Sequence, residues 1–199
     1  MKKKLSIFGL FPLVIALMVI SACAPTMVSV SQPPDYYPPA APIPITLGIS
    51  TDDTASGVFM WGKSQIRQPY GPAVIEELKR MRVFKDIVYP VGDNSVDAML
   101  FLTMKGNWAM NNRGRAIASF LIGTPNYEDV EGITNVGVKL VKGNKIIIDQ
   151  TLVIDTKGQY TGSDTDSISS QLNAVQIKKI AIALSDLLQN KQNQIMSLK

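Results

Sequence analysis

From residue 45 onward the apolar positions follow two spacings, and these lay out the elements. Ile45-Thr46-Leu47-Gly48-Ile49-Ser50 puts apolar residues at every second position and ends in a polar cluster, the pattern of a half-buried strand. Residues 51–70 are rich in Gly, Ser, Asp and Gln and read as a loop, with Val58-Phe59-Met60-Trp61 as a short strand inside it. Pro72 suits the first turn of a helix, where a missing N–H costs little. Val74, Ile75, Leu78, Met81 and Arg82 then share one helical face, and Phe84 closes that helix. Residues 86–91 predict a short strand that stops at Gly92-Asp93-Asn94. Residues 97–108 carry Ala98, Met99, Leu100, Phe101, Leu102 and Met104; a continuous apolar run predicts a central strand covered on both faces.

Residues 135–141 alternate, with Val136, Val138 and Leu140 on one side. Gly143-Asn144, with glycine first, suits a type II′ hairpin turn. Residues 145–154 return as a partner strand, and Asp149-Gln150 marks a bulge between its halves. Residues 156–167 read as a Gly/Ser/Asp/Thr loop. A long amphipathic helix begins at about Ser170, with Ile177, Ile180, Leu184, Leu187 and Leu188 on its stripe. Beyond Gln189 the chain is polar and is expected to fray. The order predicts an α/β domain over 45–199, a mixed sheet with two main helices on one face.

The first 44 residues follow neither spacing. Met1-Lys2-Lys3-Lys4 is a basic start, an apolar run extends from Leu5 to Ile20, and Ser21-Ala22 is a small-residue exit: a secretory signal over 1–22. Ile20-Ser21-Ala22-Cys23 closely resembles the bacterial lipoprotein lipobox. The resemblance implies cleavage before Cys23, a diacylglycerol on its thiol and an acyl chain, such as palmitate, on the new amino group. A plain membrane span over these residues would be about 18 long, the lower edge of spanning length, and Pro12 interrupts it. In that family an aspartate after the cysteine retains the protein at the inner membrane. Ala24 therefore points to the periplasmic face of the outer membrane, or to the plasma membrane in a single-membrane cell. Residues 23–44 hold the lipidated cysteine and a stretch in which seven residues of 24–44 are proline. Such a stretch prefers polyproline II and reaches roughly 65 Å when extended. It reads as a spacer, with Tyr36-Tyr37 as a less favoured recognition strip.

Composition narrows the chemistry. The 199 residues include no histidine and one cysteine. That removes the commonest general base, the commonest zinc ligand, any internal disulfide and any cysteine-built cluster. Removing residues 1–22 takes away three lysines and no acid, which lowers the net charge from +4 to +1. No basic field is left to suggest nucleic-acid binding. Asp52-Asp53 and Asp164 with Asp166 are the acid/base candidates, but both pairs fall in turn-forming sequence. Ser167, Ser169 and Ser170 suit a helix N-cap better than a nucleophile. No phosphate loop or complete calcium loop is present.

The most unusual stretch is WAMNNRGRAIASFLIGTP, residues 108–125. Arg113 and Arg115 precede an apolar run that includes Phe120, Leu121 and Ile122. It reads either as a core element or as an exposed contact with lipid or a second protomer. The element order over 45–190, with VIEELKRMRVFKDIVYP and DAMLFLTMKGNW, also resembles a group of envelope lipoproteins. That group includes the amino-terminal domain of the Tol-system propeller protein and the curli-secretion lipoprotein. The leading expectation is a non-catalytic, lipid-anchored envelope protein that binds a protein partner, with no cofactor beyond the covalent lipid. A ring or secretion-type pore is the alternative, and a cell-wall hydrolase stands behind both.

Overall fold

A computed structural model of the chain describes residues 27–61, 64–67, 69–111, 128–161 and 165–197. Side chains are described for these residues except 27, 53–61, 64–67, 109–111, 128 and 165. Its elements, in chain order, are β1 (Met27–Val30), β2 (Ile43–Trp61), β3 (Ser64–Arg67), α1 (Gly71–Met81), β4 (Phe84–Val88), β5 (Ala98–Asn111), β6 (Glu128–Lys142), β7 (Lys145–Thr161), α2 (Thr165–Asn190) and α3 (Gln192–Ser197). The strands form one mixed sheet in the order β1-β7-β6-β5-β2-β3, with β4 also beside β2. β2 runs parallel to β4 and β5, and the other pairs are antiparallel. A mixed sheet with two main helices on one face is therefore what the chain forms.

Alternation along the strands decides which face the helices cover. Leu47 and Ile49 of β2, Leu100, Leu102 and Met104 of β5, and Val136, Val138 and Leu140 of β6 are buried together. Val74, Ile75 and Leu78 of α1 and Ile180, Leu184 and Leu188 of α2 close over them. The other face is open: Phe101 is 42% exposed between buried Leu100 and Leu102. β5 is thus central in order but covered on one side only, against the expectation from its apolar run. Its intervening positions Thr103, Lys105 and Asn107 are polar and exposed, and that alternation is the better guide.

Several boundaries also move. β2 continues through the stretch read as a loop and turns into β3, with β5 and β3 supplying its ladder on either side. Arg82 adopts φ 53°, ψ 37° and ends α1, so it leaves the helical face. Phe84 opens β4 instead of closing the helix. The Gly143-Asn144 turn has positive φ at glycine alone, as type II′ requires. The bulge lies at Ile147, not Asp149-Gln150: Leu140 faces Ile148, while Val141 faces Ile146. β6 and β7 extend well past the short strands expected, and α2 starts at Thr165. The polar carboxyl end forms α3, seated by buried Ile195 and by Lys142 Nζ donating to the Ile195 carbonyl at 3.0 Å.

The proline-rich stretch is not a free spacer over its described part. β1 pairs with β7, and Ser31 N–H donates to the Lys157 carbonyl. The Tyr36 hydroxyl donates to the Met81 carbonyl at 3.1 Å and accepts from Ser185 and Gln189. Tyr36 therefore docks on its own domain, while Tyr37 stands 80% exposed.

One-sided coverage makes a sharp comparison possible. Leu102→Ala removes packing from a fully buried site and should cost about 2–5 kcal/mol. Phe101→Ser, one residue away on the open face, should change stability by less than about 1 kcal/mol. Urea denaturation of the two variants checks this, and equal losses would contradict it.

Candidate functional site

The anchor residues Ile20, Ser21, Ala22 and Cys23 lie outside the described residues, as do Arg113, Arg115, Phe120, Leu121 and Ile122. The described part of the molecule offers two other features. One is the open face of the sheet; the other is a buried polar seam beneath α2.

The open face mixes separated apolar side chains with polar and charged ones. Phe101 is opposite Lys139, which is opposite Asp149; Asn135 is opposite Val153, and Ile133 is opposite Asp155. Ile133 is 45% exposed and Val153 65% exposed. Glu131 and Lys157 pair at 3.2 Å across β6 and β7. Such a surface is too polar to be a missing core, yet its apolar members are spaced for contact. At its β2/β5 end, Met99 and Phe101 face Tyr89-Pro90-Val91 across a shallow groove of about 280 Å³. The Tyr89 hydroxyl lies 3.4 Å from Thr51 Oγ1 on the same rim.

The seam is built from residues whose polarity hid them. Trp108 Nε1 donates to the Tyr70 hydroxyl and to Asn173 Oδ1, each at 3.1 Å. The Tyr70 hydroxyl donates to Asn173 Oδ1 at 2.8 Å. Gln176 Nε2 donates to Thr134 Oγ1 at 2.9 Å and to the Ile154 carbonyl at 3.1 Å. The Gln176 carbonyl oxygen accepts from Thr156. All these side chains are buried. The seam separates the main core from a second apolar cluster of Trp108, Val130, Tyr160, Ile168 and Leu172. Each group is satisfied by a neighbour, so the arrangement fixes a helix rather than presenting a reagent.

Of the four acid candidates, two have described side chains, and both face solvent. Asp52 is exposed on β2 and Asp166 is exposed in the first turn of α2; the side chain of Asp53 and all of Asp164 lie outside the described residues. Ser167, Ser169 and Ser170 lie inside α2, not before it. Ser169 Oγ donates to the Asp166 carbonyl at 3.1 Å, and Ser167 Oγ accepts from Gln171. Among the described residues no group of acidic or cysteine side chains is placed to hold a metal ion. Among the same residues, no helix is long and apolar enough to cross a membrane.

No protein-family model matches the chain, and no curated protein matches it. Solved bacterial structures are similar to it. One is a Xanthomonas campestris protein of the DUF330 family, 11% identical, with 85% of this chain and 96% of that chain covered at a TM-score of 0.49. Another is a minor lipoprotein from Acinetobacter baumannii, 14% identical, covering 75% and 94% at a TM-score of 0.43. A third is the rare lipoprotein B of Shewanella oneidensis, 16% identical, covering 77% and 98% at a TM-score of 0.38.

The seam leaves a titration signature. Burial pushes the Tyr70 phenol up to about 12, although hydrogen bonds from Trp108 and Thr134 favour the phenolate and pull the other way. The unfolded phenol ionises near 10, so folding keeps Tyr70 neutral where the open chain would lose its proton. Its contribution is complete below about pH 10 and is lost as the pH rises through about 12, on the order of 3 kcal/mol in all. Thermal midpoints between pH 9 and pH 12 should fall more steeply for the native protein than for Tyr70→Phe. Parallel curves would contradict the assignment.

Proposed function

We propose that the chain is a lipid-anchored protein of the bacterial cell envelope. A diacylglycerol and an acyl chain on Cys23 anchor it, and its α/β domain binds a protein partner without catalysing a reaction. Ala24 favours the periplasmic face of the outer membrane, with the plasma membrane as the site in a single-membrane cell. The observation that carries the reading is positional: the single cysteine of the chain falls where the lipobox requires it, behind a basic start and an apolar run.

The physics of the anchor supports it. Each buried methylene contributes about 0.8 kcal/mol, one chain binds only marginally, and two or three make release slow. Partner binding draws on the open face, where exposed Phe101, Ile133 and Val153 stand among lysines and aspartates. Apolar contacts ringed by polar groups are how non-obligate interfaces are built. The absence of histidine and the exposure of Asp52 and Asp166 favour binding over chemistry.

Cys23→Ser tests the anchor. Labelling with an alkynyl fatty acid and flotation with membranes should both be lost, while the thermal midpoint of the domain stays within about 2 °C. A variant still labelled and still floating would sink the proposal. A photo-crosslinking residue at Phe101 should give a discrete adduct in intact envelopes, and one at exposed Glu76 on α1 should not. Identical patterns at both positions would remove the open face from the reading.

A further inference from the structure

We infer that the domain stands end-on at the bilayer, with the end of the sheet where β1 begins turned toward the phospholipid head groups. This rests on acylation of Cys23 and adds an orientation to it. Only Ala24, Pro25 and Thr26 separate Cys23 from Met27. The four steps from Cys23 to Met27 span at most about 14 Å when fully extended. A tether of this length cannot lift the domain away from the membrane.

Nor can β1 yield more chain without giving up its place. It is zipped to β7 from Met27 opposite Thr161 to Val30 opposite Gly158. Val28 and Val30 pack against the cluster of Trp108, Tyr160 and Leu172. The backbone approach is close: a Cβ on Gly158 would lie 2.8 Å from the Ser29 carbonyl oxygen. Only glycine allows β1 to sit this near.

The register says which end is held. Thr161 is the last residue of β7, and β1 enters from beyond it. The last residues of β2 and β5, the first of β6 and the first turn of α2 lie at the same end. The chain leaves β5 at Asn111 and re-enters the sheet at Glu128 there as well. The far end carries the β6–β7 turn, the start of β2 and α3. Over the length of β6 the two ends are roughly 45 Å apart. Phe101 and the Tyr89 groove then stand clear of the bilayer, facing the periplasm.

The experiment uses the acylated full chain in vesicles of phosphatidylethanolamine and phosphatidylglycerol, with an energy acceptor on a fraction of the head groups. Because Cys23 is capped by lipid, a single introduced cysteine carries the donor: Gln159→Cys at the near end or Asn144→Cys in the far turn. The near donor should be quenched several-fold more strongly than the far one. Inserting twelve Gly/Ser residues after Thr26 should abolish the difference without touching the domain. Gly158→Val, which drives β1 off β7, should reduce it by at least half. Equal quenching in the starting protein would overturn the end-on stance while leaving the anchor intact. Failure of the protein to float with vesicles would overturn the acylation reading and this inference with it. An unchanged difference in both the spacer and Gly158→Val proteins would show that the short tether does not set the orientation.

Discussion

The 26-residue α2 covers the sheet with two chemically different halves, and the rest of the molecule is arranged around that contact. Its carboxyl-terminal half is an ordinary apolar stripe, with Ile180, Leu184 and Leu188 against the strands. Its amino-terminal half puts Asn173 and Gln176 onto Trp108, Tyr70, Thr134 and Thr156. An apolar stripe tolerates sliding and rotation. A buried network does not, because each misplaced group would lose its partner at about 1–3 kcal/mol. The seam therefore sets where α2 lies along the sheet, and the sheet face beneath it is closed to ligands.

That arrangement leaves the molecule with two faces and two ends of different character. One face is sealed by helices; the other shows Phe101, Ile133 and Val153 to solvent. The segment after β1 runs across to the helix layer, where the Tyr36 hydroxyl ties the ends of α1 and α2 together. What reads as a tether is thus a strap that begins at one end of the sheet and is clasped near the other. The proposed attachment and recognition fall on separate parts of the domain: Cys23 precedes the β1 end, and the exposed apolar residues lie on the open face.

Much of this was legible before the structure. Strict alternation in 45–50 and 135–141 marks the core face correctly, and Gly143-Asn144 gives both the hairpin and its turn type. The stripe of Ile180, Leu184 and Leu188 identifies α2. What was hidden has a common cause: pairing and polarity supplied by distant residues. Residues 51–57 of β2 are polar and small, yet they continue the strand, with β5 beside them. At the start of α2, buried Ser169, Asn173 and Gln176 are interleaved with buried Ile168 and Leu172, which blurs the apolar stripe. β1 is four residues in a proline-rich context, and only the presence of β7 and Gly158 makes it a strand. A buried asparagine or glutamine in an amphipathic repeat is the signal that could have located the seam.

The proposed attachment through a single sulfur atom links the sequence, the short spacer and the fold. Intact mass of the protein extracted from its own envelope measures it directly. The expected species begins at Cys23 and exceeds the mass of residues 23–199 by a diacylglycerol and one acyl chain. A species that begins at Met1 and carries a free thiol would contradict it.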